Sequence, residues 1–321
     1  MQQENSVSKL KYFPVTAFSV VMGLSGLAIL LYRAYHLGWL PLWAYLAAAF
    51  TALVVFAMFV FIYGLKAIWY FEEVKKEYNH KVKVNFFSAI SISFLLVSVA
   101  FYGYLPFVSA GLWYAGVIAH LLLTFHTVVF WIRSEFEVHD INPAWFIPVV
   151  GNLIIPVVGV DLAPTWVNIY FFITGMFFWI TLFAIVLYRL VFHKQLAEKF
   201  IPTMFIFIAP PAVIFISYFR MFLNVDVFSM SMLSLALFFL GLLVFLVKDF
   251  FRIRFYLSWW AYTFPVSALG IAMMIAYQAT GFSVFKYIAV FVLVLTAAIV
   301  AAVMAFTVKN VVLGKICVME D

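Results

Sequence analysis

Charge is what this chain most lacks. Asp, Glu, Lys and Arg together make up 10% of its 321 residues, and Cys317 is the single cysteine. A soluble globular domain carries about a quarter charged residues. With so few, a water-facing surface of this size would go uncovered, so a soluble enzyme is excluded. A lone cysteine excludes a disulfide scaffold. At 68% hydrophobic residues the chain is not intrinsically disordered. Its 19 basic residues against 13 acidic ones form no aromatic-interleaved patch, which removes nucleic acid as a partner. No Walker sequence, nucleophile elbow or paired carboxylate is present. An intramembrane prenyl-group transferase would need dense acidic clusters to hold a metal and pyrophosphate, and the acids at 135–140 lack that density. The chain is read as not an enzyme.

Metal-binding patterns are also missing. Of six histidines only His120 and His126 fall in an apolar run. Their six-residue spacing turns a helix by about 600°, leaving them on different faces, whereas a zinc pair wants a spacing near four. No metal or cofactor is expected, and a hydrogen bond between helices is the expected role. The segment 133–140, with Glu135, Glu137, His139 and Asp140, reads as a solvated loop.

What the chain has instead is long apolar sequence. Runs occur at 13–32, 40–65, 85–107, 110–132, 144–160, 165–188, 201–219, 227–247, 259–280 and 284–308. A membrane-spanning helix needs about 20 such residues, so the fold class is an all-α membrane protein with ten transmembrane helices. The fifth run is the shortest and carries Pro143, Pro148 and Pro156, so a kink is expected there. The first run follows a polar start without a small-residue cleavage site and is expected to be a retained span. The polar segments between runs are too short for a soluble domain. The expected organisation is an N-terminal segment 1–11, a channel domain 12–310 and a tail 311–321.

Lys and Arg set the orientation. Assigned by side, 16 fall on the side of the termini and the loops after even-numbered runs. Arg33, Arg220 and Lys286 fall on the other. Both termini are expected in the cytoplasm, with the protein in the plasma membrane (the inner membrane in a bacterium). The spans themselves are expected to be free of Asp, Glu, Lys and Arg, the usual marks of proton relays and ion-coupling sites.

Odd-numbered runs open with an aromatic residue or proline and often carry further prolines. The openings at 13, 86, 145, 202 and 260 are 73, 59, 57 and 58 residues apart. Such a period suggests five copies of a two-helix hairpin, all parallel and arranged around a central pore. Proline frees backbone carbonyls that hydrocarbon cannot satisfy. The odd helices are therefore expected to form an inner ring, with the even ones outside against the lipid bilayer or neighbouring subunits. Pro14, Pro148, Pro210, Pro211 and Pro265 are the candidate kinks.

At these openings the chain resembles the tellurite-resistance/dicarboxylate transporter family, which includes bacterial TehA and the slow anion channels of plant guard cells. The resemblance rests on FPVTAFSVVMGLSGLA (13–28), VNFFSA (84–89), NPAWFIPVVGN (142–152), IPTMFIFIAPPAV (201–213) and WWAYTFPVSALG (259–270). It implies ten helices around a quasi-fivefold axis, a homotrimer with one pore per subunit, and a pore blocked by a phenylalanine of the ninth helix. The matching residue is Phe264, beside Pro265. Phe18, Gly23 and Ser25 match the pattern of the first helix. With Val149, Phe207 and Thr263 they are the pore-lining candidates.

The expected function is a passive channel for small monovalent anions such as chloride and nitrate. Selectivity is expected from dipoles at the kinks, from the Ser25 and Thr263 hydroxyls and from a basic cytoplasmic rim. The alternative is a secondary transporter for tellurite or C4-dicarboxylates. A proton-coupled carrier generally needs a protonatable group within the membrane, and only His120 and His126 qualify.

Overall fold

The computed structural model describes residues 9–318. Regular structure among the described residues is helical throughout. Ten helices are long and apolar enough to cross a membrane: α1 (Val15–His36), α2 (Leu42–Trp69), α3 (Val84–Phe101), α4 (Pro106–Arg133), α5 (Pro143–Leu162), α6 (Thr165–Phe192), α7 (Glu198–Phe222), α8 (Val227–Phe245), α9 (Leu257–Thr280) and α10 (Ser283–Val312). Of the terminal segments expected from the sequence, residues 1–8 and 319–321 lie outside the described residues.

Burial separates these helices into two sets. Two-thirds or more of the most apolar stretch of each odd span is buried, against a third or less of each even span. The odd spans close on themselves, with α1 packed on α3 and α9, α3 on α5, α5 on α7, and α7 on α9. Each even span packs against the odd span that precedes it. The outer surface is therefore made by even spans and carries large apolar side chains such as Trp43, Phe61, Phe125 and Phe177. Lipid tails accept such a surface and water does not.

Backbone type follows the same division except at α3, which is α-helical throughout. α5, α7 and α9 open in 3₁₀ geometry over Pro143–Phe146, Glu198–Ile208 and Leu257–Tyr262, and α1 opens with Val15–Ala17. Even spans are α-helical from end to end. Prolines explain part of this, since each removes an N–H donor and disturbs the turn before it. α5 alternates, with a second 3₁₀ stretch at Gly151–Ile154. At 2.0 Å rise per 3₁₀ residue and 1.5 Å per α residue, its 20 residues reach about 34 Å. The shortest run thus still crosses about 30 Å of hydrocarbon.

The expectation of charge-free spans is wrong. Lys286 lies within the tenth run, and the helices extend past the runs to take in Arg33, Lys66, Arg133, Asp161, Arg189, Glu198, Lys199, Arg220 and Lys309. The apolar run marks only the hydrocarbon-facing part of a helix, and helices continue through the interface. Lys66 is the deepest of these, at 1% exposure. Its Nζ donates to Glu77 Oε2 and to the Phe13 carbonyl, each at 2.8 Å, and the Tyr63 hydroxyl donates to the same Glu77 oxygen. This cluster ties α2 to the short helix Phe71–Tyr78 and to the start of α1. Nearby, Lys81 pairs with Asp140 at 3.1 Å. Burial raises the Asp140 carboxyl, but the Glu137 N–H and the Lys81 ammonium outweigh it and hold the group below its ordinary range.

Candidate functional site

Two cavities lie in line between the five odd spans, and neither is lined by an even span. The first has a volume of about 430 Å³ and opens at the end of the molecule that carries the loops after even spans. Its wall is largely apolar, with Ile92, Phe146 and Ile206, and its mouth carries His80, Lys83 and Lys199. The second, about 410 Å³, opens at the opposite end. It contains Arg33 from α1 and Arg220 from α7.

Phe264, Ile154 and Val213 line both cavities. They therefore form the partition between them, and only Phe264 presents an aromatic ring. The ring is set by two neighbours on its own helix and one on the next. α9 changes from 3₁₀ to α at Thr263, and Pro265 follows in the first α turn. On α1, a Cβ placed at Gly26 would come within 3.2 Å of Phe264 Cδ2 and 3.0 Å of Ser267 Oγ. Glycine there lets the first span approach the ring closely.

Several sequence-based assignments need correction. Phe18 packs edge-on against Phe59 and Tyr63 of α2, away from the cavities. Gly23 is a packing contact for Thr263 and Trp260. Ser25 is fully buried and its hydroxyl has no partner. Val149 is buried off the lumen. Phe207 packs with Phe146, Phe183 and Phe239. The Thr263 hydroxyl donates to the Trp260 carbonyl at 2.6 Å. Residues at the lumen lie next to them in sequence: Ser19, Val150, Ile206 and Phe264. One step along a helix turns the side chain by about 100° in α and about 120° in 3₁₀ geometry, so a choice one position off selects a different face. Of the candidate kinks, Pro210 and Pro265 line the first cavity. Pro14, Pro148 and Pro211 do not line it.

The histidines of α4 differ from each other. His120 is buried, with Nδ1 at 2.9 Å from Ser91 Oγ of α3. Its ring lies behind Gly151, whose Cβ would meet Nε2 at 2.7 Å. His126 stacks on Tyr78 with ring centroids 3.9 Å apart. Neither lines a cavity.

Residues 12–308 match the family described as SLAC1, voltage-dependent anion channel. The chain belongs to the SLAC1 family. It is 29% identical over 271 residues to the S-type anion channel SLAH3 of Arabidopsis thaliana, covering 81% of this chain and 42% of the relative. With the uncharacterized transporter MJ0576 of Methanocaldococcus jannaschii it shares 26% over 315 residues, 89% of each chain. With the tellurite resistance protein TehA homolog of Haemophilus influenzae it shares 27% over 215 residues, 66% of this chain and 65% of the relative. The chain spans about half the length of the plant relatives SLAH3 and SLAH2.

In this SLAC1-family chain the broken helix α5 is held by side chains from its neighbours. Thr124 Oγ1 of α4 donates to the Pro148 carbonyl at 2.7 Å. Trp113 Nε1 donates to Ile155 at 3.0 Å, Asn168 Nδ2 of α6 to Gly159 at 3.0 Å, and Arg220 Nε of α7 to Val157 at 2.8 Å. The Ser217 hydroxyl donates to Leu153. Irregular backbone at membrane depth is tolerated where protein groups satisfy it. Of these donors only Arg220 was singled out from the sequence, and there as a topology signal. The available signal for the others was the presence of Trp113, Thr124, Asn168 and Ser217 in otherwise apolar spans.

Proposed function

We propose that the chain is a plasma-membrane anion channel. Its conduction path is the line of two cavities, closed at Phe264. The observation that carries this reading is that Phe264 borders both cavities while every other wall residue of the partition is aliphatic. A phenyl ring between aliphatic walls keeps the constriction dry, and a dry constriction gates by excluding the hydrated ion. Basic groups at both mouths support anion over cation: His80, Lys83 and Lys199 at one, Arg33 and Arg220 at the other. The charge bias of the loops supports a cytoplasmic side for the termini and the first cavity. Small, easily dehydrated monovalent anions such as chloride and nitrate suit a path whose walls rehydrate an ion poorly. Exposed aromatic and aliphatic faces on the even spans suit the bilayer and, in the homotrimer expected from the family, neighbouring subunits.

The coupled-transporter alternative for tellurite or C4-dicarboxylates is the weaker reading. Its protonatable candidates, His120 and His126, lie off the path. The test is anion current at matched surface expression for the parent, Phe264→Leu and Phe264→Ala. Current is expected to rise at least tenfold in Phe264→Ala, with Phe264→Leu between. A well-expressed Ala form with no more current than the parent refutes the gate. If the ring were ordinary core, its loss would cost about 3–5 kcal/mol and deplete folded protein instead.

A further inference from the structure

The second cavity carries a charge arrangement that the gate does not use. Arg220 is paired with a carboxylate. Its Nε donates to the Val157 carbonyl at 2.8 Å, its Nη2 pairs with Asp161, and its guanidinium lies 5.7 Å from the centroid of the Tyr102 ring. Arg33 is not. Among the described residues its one hydrogen bond is a long contact of 3.4 Å from Nη1 to Gln278 Oε1, and it has no carboxylate partner. Burial and the Asp161 carboxylate push the Tyr102 phenol above its ordinary range, so that ring stays neutral. Lys286 leans over Tyr277 and does not line the cavity. Asp226 is bound to Tyr218 and to the first turn of α8. Asp161 does not line the cavity itself; its side chain is 43% exposed and meets the cavity through Arg220.

From these contacts we infer that Asp161 sets the valence of the anion that the second cavity accepts, by cancelling Arg220 and leaving Arg33 as its single uncompensated guanidinium, with His36 the one other basic residue of the lining. One uncompensated guanidinium, with most of its five N–H donors unused, matches one monoanion. A dianion such as sulfate or a dicarboxylate would bring a second negative charge with only Asp161-neutralised Arg220 to meet it. A guanidinium also favours planar oxyanions, which it can hold through two parallel N–H bonds. Nitrate is therefore the monoanion best suited to Arg33. The inference rests on the channel reading above, because it assigns selectivity along that path.

The experiment changes the charge count and follows valence. In the Phe264→Ala background, the sulfate-to-chloride permeability ratio is taken from reversal potentials in planar bilayers. Recording at pH 8 keeps imidazoles neutral. Asp161→Asn raises the net charge by one while keeping an oxygen acceptor for Arg220. An added unit charge acts on a dianion with twice the energy it has for a monoanion. After screening at a partly solvated mouth, the expected rise in the ratio is about five- to tenfold. Arg33→Gln should lower the ratio by a similar factor.

The double variant Asp161→Asn with Arg220→Gln restores the parental count and should restore the parental ratio, whereas a merely structural pair would leave the double variant damaged. Asp161→Glu should resemble the parent. In parallel, the melting temperature of the detergent-purified protein is measured with sodium sulfate or sodium chloride. Asp161→Asn should gain more stabilisation from sulfate than the parent does, and this readout needs no conduction. Absence of any anion current in Phe264→Ala refutes the channel reading and leaves the melting assay to decide the charge count. Current with an unchanged ratio in Asp161→Asn overturns the inference about valence.

Discussion

α5 and α6 form one hairpin yet solve the membrane problem in opposite ways. α6 is 28 residues of uninterrupted α-helix, closes its own backbone hydrogen bonds and turns Trp166, Phe177 and Phe192 outward. α5 is 20 residues broken into four short stretches, and its carbonyls draw donors from Thr124, Trp113, Asn168, Ser217 and Arg220 on three other spans. The same contrast recurs at α1, α7 and α9, whereas α3 lines both cavities as regular α-helix. Backbone irregularity, where it occurs, sits beside the cavities, and the outward-facing spans are regular. Irregular stretches place carbonyls, bends and Phe264 at the lumen. They persist because neighbouring spans, inner as well as outer, supply hydrogen bonds that lipid cannot.

That contrast can be broken most severely at the outer helix that departs from it. α2 is otherwise apolar but buries Lys66 against Glu77. Lys66→Ala leaves the carboxylate buried without its partner, and the expected loss is about 3–5 kcal/mol. SDS-induced unfolding in mixed micelles measures it. A loss under 1 kcal/mol would show that water reaches Glu77.

The next effect sharpens the division between the rings. Ser217→Ala removes the donor to the Leu153 carbonyl of α5, and a buried acceptor left unpaired costs about 1–3 kcal/mol. Thr181→Val on the exposed face of α6 removes a hydroxyl that bonds only within its own helix. The same unfolding assay should give a change below about 0.5 kcal/mol there. Equal costs at the two positions would mean that α5 does not depend on borrowed donors.

Glycines give a smaller contrast of opposite sign. A Cβ at Gly159 of α5 would lie 2.3 Å from Asn168 Oδ1 and 2.8 Å from Trp113 Cζ2, both engaged in holding α5. Gly64 of α2 has nothing within 4 Å. Gly159→Ala should destabilise, whereas Gly64→Ala should stabilise by up to about 1 kcal/mol through helix propensity.

The smallest effect lies at the start of an outer helix. The Ser229 N–H, then the Tyr218 hydroxyl, hold the Asp226 carboxyl below its ordinary range. A group lowered on folding stabilises fully above its unfolded value, near 3.9. That contribution is lost as pH falls through the folded value. Asp226→Asn should therefore flatten the acid side of the stability profile by lowering stability slightly at neutral pH, where the carboxylate contributes, and leaving the most acid pH nearly unchanged.

The sequence by itself determined the class of fold. Ten apolar runs with too little charge for a soluble surface admit only a membrane solution. Lipid demands satisfied backbone, so each run becomes a helix. The alternation of proline-bearing and proline-free spans also pointed to the buried ring, because proline is poorly tolerated against hydrocarbon. Phe264 could be named from its motif and from Pro265 beside it.

Which face each helix presents was decided only by the tertiary structure. In spans apolar on all sides, residue type carries no direction. The lumen fell to Ser19, Val150 and Ile206 rather than to Phe18, Val149 and Phe207. Ile154 and Val213, the other two residues of the partition, have nothing in sequence to distinguish them from ordinary core. Arg33 and Arg220 read as topology signals until the closure of five helices brought their ends together, because a charge at a helix terminus does not reveal whether it faces solvent or a shared cavity. Their partners lie 59 residues away for Arg220 and 245 for Arg33, distances in sequence that only packing can close.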